Sequence, residues 1–501
     1  MMTMGIDIGS SFIKVAIYDL ETGACRAHSQ VPESEMPIIS INPGWAEQSP
    51  EMWWNYTKLA IGEAINKIGT SATAIGAIGI TYQMHGLVCI DKHGNALRNS
   101  IIWCDSRAVE TGNQLARQLG TEYCHEHLLN FPGNFTASKL QWVMDHEPEL
   151  FEKIHHVMLP GDYIGYRLTG EINTTVGGLS EGIFWDFRED RVSEKLLRVS
   201  GISEELLPNI VPTFGEQGRL MPAIASELGL TSGIPVSYRA GDQSNNAFSL
   251  NVLNPGEVAA TAGTSGVVYG VTDRLISDPL SRINTFAHVN HTQKTPRYGV
   301  LLCINGTGIL NSWLRKNVAN GAAYSRMNED AAKTPAGSEG LMILPFGNGA
   351  ERMLQNRETG CQIIGLNFNR HGQAHLYRAG LEGLAFAFRY GIEVMKDAGL
   401  NPVAIRAGNA NMFLSPLFRQ TLADVCNVTI DIYSTNGSIG AALGAAVGTG
   451  FYSGIGEAST KIKKVMVIEA SSQRELMEEY YWRWKNHLIS MLAEMEITIK
   501  N

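Results

Sequence analysis

Several features that mark common protein classes are scarce or missing in this 501-residue chain. Its seven cysteines are scattered, odd in number and without a CxxC pair, which argues against a disulfide framework and favours a reducing cytoplasm. No apolar run reaches the roughly 18 residues of a membrane helix, and Asp7 and Lys14 interrupt any signal-peptide core. A net charge of −9 argues against a nucleic-acid-binding face. We therefore expect a cytoplasmic protein with neither a membrane nor a nucleic-acid partner.

Two familiar nucleotide-binding motifs are missing as well. The chain has no Gly-x-x-x-x-Gly-Lys-Ser/Thr and no complete Gly-x-Gly-x-x-Gly that opens a helix after a strand, so P-loop and Rossmann folds lose their main support. Strands predicted at 75–81, 88–91 and 235–240 instead alternate with helices such as 138–146, which predicts an α/β architecture. The length predicts two large domains, residues 1–245 and 246–501.

A faint internal repeat supports two domains of similar plan. Residues 5–19 align with residues 259–273, and each copy has an apolar strand, a loop of glycine and hydroxyl residues, and a second apolar strand. Glycine lets backbone N–H groups approach an anion and Ser or Thr adds donors, so such loops suit polyphosphate. The candidate loop residues are Gly9, Ser10 and Ser11 in the first copy and Gly263 and Thr264 in the second.

Charge distinguishes the two copies. Only the first carries charged groups, Asp7 and Lys14, where the second has Thr261 and Val268. A carboxylate beside phosphate makes sense if Mg²⁺ or its waters lie between them, because Mg²⁺ keeps hard oxygen ligands. The alternative is that both copies are ordinary hairpins with small turn residues.

Other polar residues follow predicted strands. Asp242 and Gln243 come after the strand at 235–240; Asp242 could be a simple helix N-cap, or it could accept the proton of an attacking hydroxyl during phosphoryl transfer. Hydrogen-bonding and aromatic groups that suit a carbohydrate end two more strands: Gln83, Met84 and His85, then Trp103 and Asp105. Later, Gly408 and Asn409 form a strand-to-helix loop that suits a nucleoside or is a plain turn.

Two other patterns point to different chemistry. Residues 178–182 match the Gly-x-Ser-x-Gly elbow of serine hydrolases, but 173–177 is a poor buried strand and no following helix is predicted. Residues 124–127, Cys-His-Glu-His, alternate in direction on any regular element and have no partner pair at zinc spacing. We interpret the first as chance and the second as a surface segment.

In this order, the motifs resemble the FGGY carbohydrate kinases, and among them chiefly the xylulose kinases. The resemblance covers nearly the whole chain and rests on segments 5–11, 83–86, 103–107, 135–142, 159–163, 241–242, 263–266, 381–383 and 443–446. It implies two actin-like (ribonuclease-H-like) domains with ATP, Mg²⁺ and a small sugar in the cleft between them. The implied reaction is ATP-dependent phosphorylation of D-xylulose to D-xylulose 5-phosphate.

The resemblance also implies a role for each candidate residue. Asp242 is the proton acceptor, and Asp7 is essential near Mg-ATP and approaches the metal through water. Met84 and His85 touch the sugar, and the implied sugar site also includes Gln83, Trp103, Asp105 and Gln243. The ATP contacts are Gly9, Ser10, Ser11, Lys14, Gly263 and Thr264 at the phosphates, with Gly308, Gly408 and Asn409 at the nucleoside.

The chain departs from the family pattern in three places. Residues 407–411 read Ala-Gly-Asn-Ala-Asn where xylulose kinases often show Gly-Gly-Gly-Ala, so the adenosine contacts stay open. Residues 350–354 replace Gly-Glu-Arg-x-Pro, and Asn134 is an extra residue. Other ketopentoses, polyols and gluconate-like acids therefore remain alternatives to xylulose. A homodimer and a catalytically silent sugar- or nucleotide-binding protein also stay open.

Overall fold

The computed structural model describes residues 1–69 and 72–500, with backbone only for residue 72 and residues 496–500. Two large β-sheets organise the chain, and helices cover both faces of each. Within these described ranges, none of the helices combines the length and apolarity needed to cross a membrane.

The first sheet has five strands in the order β5-β4-β1-β2-β3. Strands β1 and β2 pair antiparallel, whereas β4 and β5 run parallel to β1. Alternating side chains of β1 point to opposite faces of the sheet, so Met4, Ile6 and Ile8 enter a core beneath helix α1 while Gly5 faces the other side. The bounds are β1 Met2–Ile8, β2 Ile13–Asp19, β3 Ala24–Val31, β4 Ile75–Tyr82 and β5 Val236–Gly241, with α1 Pro50–Lys67.

The second sheet has seven strands in the order β8-β9-β7-β6-β10-β11-β12. Its five inner strands repeat the connectivity of the first sheet: an antiparallel hairpin, a third strand beside it, and two parallel strands on the other side. The bounds are β6 Glu257–Ala262, β7 Gly266–Thr272, β8 Asn284–Ala287, β9 Tyr298–Ile304, β10 Ala404–Gly408, β11 Ile430–Tyr433 and β12 Lys464–Ile468.

The predicted repeat therefore exists, but its second half is aligned one residue out. Asp7 pairs with Lys14 across a four-residue turn, whereas Thr261 pairs with Val267 across a three-residue turn. The shorter turn makes Val267, and not Val268, the counterpart of Lys14. The asymmetry of charge is unchanged, because both residues are valines.

Eleven helices pack on the sheets or carry site residues. They are α1, α2 Val109–Leu119, α3 Thr136–His146, α4 Pro160–Thr169, α5 Val176–Glu181, α6 Asp242–Ser249, α7 Gly308–Asn317, α8 Gln373–Asp397, α9 Pro416–Cys426, α10 Gly437–Gly448 and α11 Arg474–Lys500. Further helical segments are Ala72–Ala74, Thr121–Tyr123, Cys124–Leu128, Pro148–Phe151, Glu194–Ser200, Glu204–Leu206, Pro222–Leu228, Tyr324–Lys333, Ala336–Gly340, Arg352–Leu354, Asn411–Leu414 and Ile455–Thr460. Short strands are Glu47–Gln48, Val88–Ile90, Ser100–Ile101, His156–Met158, Asn173–Thr174, Trp185–Asp186, Arg191–Val192, Asn209–Ile210, Met342–Phe346 and Gly360–Ile364.

A helix from the second half of the chain packs on the sheet of the first half. Helix α10 follows β11 of the second sheet but packs on β1 and β4 of the first. Its backbone lies so close that a Cβ added at Gly5 would stand 1.8 Å from the Ser438 carbonyl oxygen, and one at Gly79 would stand 2.0 Å from that of Ala441. The predicted division at residue 245 falls inside α6, which packs against α10, and it stays a prediction.

This close approach predicts a large cost for a single methyl group. Gly5→Ala should lower the free energy of unfolding by about 3 kcal/mol, because helix α10 must move off the sheet. Gly62→Ala is the matched control: Gly62 lies in helix α1 with open space around it, and alanine there should stabilise by up to about 1 kcal/mol. Urea denaturation of both variants measures the difference, and equal stabilities would contradict the packing described.

Candidate functional site

Asp7 lies at the end of β1, where the chain enters its first turn. The Gly9 amide closes this turn by donating to the Phe12 carbonyl at 3.1 Å. Lys14 stands opposite on β2, with its Nζ 3.9 Å from Asp7 Oδ2, which is too far for a good hydrogen bond. Helix α10 begins here as well, since a Cβ on Gly437 would lie 2.7 Å from the same oxygen.

The surroundings of Asp7 fit a hard cation. Burial raises the pKa of the Asp7 carboxyl, and the Lys14 ammonium partly offsets that rise. Its side chain keeps 15% exposure, so its oxygens can reach a metal or metal-bound water. Carboxylate oxygens with room for several waters are the environment that Mg²⁺ prefers.

Asp242 is the first residue of helix α6, directly after β5. The backbone amide and side chain of the adjacent Gln243 favour the ionised form of Asp242 and lower its pKa. Burial and the negative charge of Asp7 nevertheless raise the pKa of Asp242 to about 7. The two carboxyl groups, which the sequence separates by more than two hundred residues, therefore lie close enough to interact electrostatically. Asp242 is not an N-cap, since Gly241 holds that position and helix α6 has no side-chain cap.

Met84 and His85, both predicted to bind the sugar, follow strand β4. His85 has a left-handed backbone, with φ of 63°, and its Nδ1–H donates to the Glu181 carbonyl at 2.9 Å. Burial lowers the pKa of His85 to about 3, so the ring is neutral. A carbonyl can only accept, so the proton is on Nδ1 and Nε2 is left as an acceptor for a hydroxyl group. The ring packs between Phe135 and Phe286.

The side chains of two residues predicted to bind sugar are buried in the protein interior. Asp105 is fully buried, where its carboxylate binds the Arg107 guanidinium and accepts from the Ala46 amide. Gln83 is 3% exposed and donates to Gln48. The prediction that Asp105 contacts substrate is therefore corrected: a carboxylate already engaged by Arg107 holds the loop from behind. Gln83 likewise supports the strand end from within.

Trp103, which is also predicted to bind the sugar, is half exposed beside the turn at residues 9–12. Its Nε1 lies 3.4 Å from the Ser10 hydroxyl oxygen, to which it donates. The backbone of this turn is anchored at two points, where the Ser10 carbonyl accepts from Gln48 and the Ser11 carbonyl accepts from Met36. These bonds leave the Ser10 and Ser11 side chains on the turn's surface.

The second phosphate loop joins helix α7. The Gly308 amide donates to the Gly263 carbonyl at 2.9 Å, and the Ile309 amide donates to the Thr264 carbonyl at 3.1 Å. Thr264 is exposed at the tip of this loop. The predicted adenosine loop is adjacent, because the Asn411 side-chain amide lies 3.6 Å from the position of a Cβ on Gly263.

Gly408 and Asn409 lie at the end of β10, where the Asn409 amide donates to the Tyr433 carbonyl at 2.9 Å. Asn409 is exposed and Gly408 partly so. The ends of β1, β4, β5, β6 and β10 thus carry the predicted residues, as expected for a cleft between two α/β sheets.

Two buried ionisable residues of the site, Lys139 and Glu181, are absent from the residues predicted above. Lys139 on helix α3 donates from Nζ to the carbonyls of His85 and Ile102, at 2.8 and 3.0 Å, and burial lowers its pKa to about 7. Its place three residues from both Thr136 and Trp142 puts it on the buried face of α3, a signal that the sequence offered. The second residue, Glu181, ends helix α5 and is 2% exposed.

The segment set aside as a chance hydrolase motif is more ordered than expected. Residues Asn173–Thr174 form a two-residue strand, and the helix Val176–Glu181 contains most of the motif. Ser180 therefore lies inside a helix, and not in a turn between a strand and a following helix as a hydrolase elbow requires. Ser180 is still no nucleophile, since its hydroxyl donates to the Gly177 carbonyl and accepts from the Ala287 amide. The 124–127 segment is also partly buried: Cys124 lies in the core and His127 binds Asp186.

The sequence matches known families along most of its length. The N-terminal domain of the FGGY family of carbohydrate kinases matches residues 2–249, and the C-terminal domain of that family matches residues 258–451. The xylulose kinase of Bacillus subtilis (strain 168) is 28% identical over 466 residues, which covers 91% of this chain and 89% of the relative.

Solved structures share the whole fold. The xylulose kinase from Rhodospirillum rubrum is 27% identical, with a TM-score of 0.88 over 99% of both chains. The gluconate kinase from Lactobacillus acidophilus, 22% identical, shares the fold with a TM-score of 0.88 over 98% of this chain and 99% of that one. The predicted α/β class with two actin-like domains is confirmed.

The raised pKa of Asp242 predicts a stability effect that depends on pH. A carboxyl that titrates near 7 when folded and near 3.8 when unfolded stabilises the protein below pH 4, and that contribution is lost as pH rises toward 7. Asp242→Asn should therefore stabilise the ligand-free protein by about 1–2 kcal/mol more at pH 8 than at pH 5. Thermal denaturation at both pH values tests this, with exposed Asp145→Asn as control; a gain independent of pH would contradict it.

Proposed function

Because the chain belongs to the FGGY family of carbohydrate kinases, we propose that it phosphorylates D-xylulose to D-xylulose 5-phosphate. As a member of that family it is a phosphotransferase that uses ATP with Mg²⁺. The observation that best supports the proposal is the pair of interacting carboxyl groups, Asp7 and Asp242, at the ends of strands β1 and β5.

Asp242 is proposed as the base for the acceptor hydroxyl. A primary alcohol is a poor nucleophile, and its proton becomes acidic only as the new P–O bond forms. A carboxylate whose pKa is near 7 accepts such a proton better than an ordinary aspartate, because it is more basic and is still ionised in about half of the molecules at pH 7. Gln243, whose polar groups favour the ionised form of Asp242, would help to keep that carboxylate in place.

The phosphate side of the site is proposed to consist of the two turns. Asp7 would hold Mg²⁺ through water, and the bound metal would neutralise charge at the phosphates. Lys14 and the hydroxyl groups of Ser10, Ser11 and Thr264 would donate to phosphate oxygens. Gly308, Gly408 and Asn409 border the proposed nucleoside site.

The acceptor side is proposed to bind neutral hydroxyl groups. His85 offers a hydrogen-bond acceptor at Nε2 and Met84 an apolar contact, while Trp103 presents a half-exposed ring. The similarity to xylulose kinases favours D-xylulose among small open-chain sugars. Other ketopentoses, polyols and sugar acids remain alternative acceptors. A cytoplasmic location and a homodimer also remain predictions.

A panel of acceptors tests the substrate. The purified protein with MgATP should release ADP fastest with D-xylulose, and more slowly with other ketopentoses, polyols and gluconate, as measured by an ADP-coupled assay. Faster turnover with gluconate or a polyol would identify that compound, and not xylulose, as the preferred substrate. If no acceptor in the panel stimulates ADP release, the alternative of a catalytically silent binding protein is favoured.

The role of Asp242 predicts a specific kinetic defect. Asp242→Asn keeps the shape of the side chain but cannot accept the proton, so kcat should fall by about 10²–10⁴. KM for the sugar should change much less, because the amide still forms hydrogen bonds. The same variant is predicted to be more stable than the wild type, so lost activity could not be ascribed to unfolding. A kcat above about a tenth of the wild-type value would contradict the role.

A further inference from the structure

A buried acid, Glu181, lies beside Gly241 with its hydrogen bonding incomplete. Glu181 is 2% exposed, and the buried Tyr82 hydroxyl interacts with its carboxyl group. In the part of the chain that the structure describes, neither that hydroxyl nor Glu181 Oε1 completes a hydrogen bond. Two other buried acids each face a guanidinium: Asp162 lies 2.8 Å from Arg239, and Glu382 lies 2.7 Å from Arg378. An unpartnered buried carboxyl is costly, so one that persists beside a site calls for a ligand.

Glu181 contacts the residues proposed to bind the acceptor. A Cβ added at Gly241 would lie 2.4 Å from Glu181 Oε2 and 2.8 Å from Met84 Cγ, so the carboxyl group lies against the backbone that precedes Asp242. The Glu181 carbonyl also fixes His85 through the bond to Nδ1. Glycine at position 241 therefore makes room for an acid and a methionine that converge on one spot.

The carboxyl group borders a small cavity. The cavity measures about 10 Å³, enough for one water or one hydroxyl group. Its wall includes Met84, Glu181, Gly241, Tyr269 and Phe286. Among the described residues, none of the first glycine-hydroxyl turn, residues 9–14, lines the cavity.

We propose that Glu181 is a specificity-determining residue that binds the acceptor's terminal hydroxyl group, the one farthest from the phosphorylated carbon. The proposal rests on the proposed function, and it narrows the acceptor to a short, neutral ketose or polyol. A hydroxyl group both donates and accepts, so it can satisfy a carboxyl group in a cavity with room for nothing larger.

Electrostatics agrees with a neutral end group. Burial, together with the charges of Asp242 and Asp162, raises the pKa of Glu181 well above its ordinary value, which favours the neutral carboxyl group that donates as well as accepts. Arg239 also borders the cavity, but Asp162 and Asn173 engage its guanidinium. A substrate carboxylate would therefore meet acids here without a free cation from Arg239.

The contact is tested by removing the Glu181 carboxyl group from the protein and the remote hydroxyl group from the sugar. The binding of D-xylulose and of 1-deoxy-D-xylulose, which lacks the remote hydroxyl, is measured by calorimetry without ATP for the wild type, Glu181→Ala and Glu181→Gln. The wild type should prefer D-xylulose about 10-fold, as expected for a hydrogen bond to a buried acid. Glu181→Ala should prefer it less than 2-fold, while Glu181→Gln should keep most of the preference because an amide also donates and accepts.

Controls separate this contact from a general defect. Glu189→Gln, on an exposed turn, should bind both sugars as the wild type does. If Glu181→Ala does not fold, Glu181→Leu fills the volume without hydrogen bonds and replaces it. An equal preference in the wild type and in the alanine or leucine variant overturns the proposal.

The failure of the proposed function would be visible separately. If the acceptor panel identifies a different open-chain substrate, the same variants are tested with that substrate and its analogue lacking the remote hydroxyl. Loss of the preference in Glu181→Ala then still supports the contact, and an unchanged preference overturns it.

Discussion

The contact between helix α10 and the first sheet is the constraint on which the rest of the structure depends. Backbone lies directly on backbone at Gly5 and Gly79, so there is a single depth at which the helix can pack. That depth places Gly437 against the Asp7 carboxyl and brings the second half of the chain to the phosphate turn. The geometry of the cleft therefore follows from the absence of side chains at a few positions.

Within the cleft, function and stability oppose each other. The negative charge of Asp7 raises the pKa of Asp242, and Asp242 in turn raises the pKa of a third acid, Glu181. A protein selected for stability alone would not keep a buried acid within electrostatic reach of two others. The proposed ligands account for this arrangement: a metal and phosphates near Asp7, and hydroxyl groups near Asp242 and Glu181.

Much of this arrangement could be predicted from the sequence, because strand ends carry the site. The alternation of strands and helices, the two glycine-hydroxyl turns, and Asp7 and Asp242 are all local patterns. Side-chain direction is not local: Asp105 looks like a sugar ligand until Arg107 is seen to engage it. Glu181 lies in residues 178–182, which match a hydrolase motif, and its position beside Gly241 is visible only in the folded structure. The one-residue slip in the repeat arose because turn length cannot be read from two short strands.

The crossover of helix α10 also has a consequence for biosynthesis. One face of the first sheet is covered by a helix that the ribosome makes more than four hundred residues after β1. At about 5–20 residues per second, that face waits on the order of 20–80 s for its cover. During this interval an apolar surface near Gly5 and Gly79 is open to solvent and to other nascent chains.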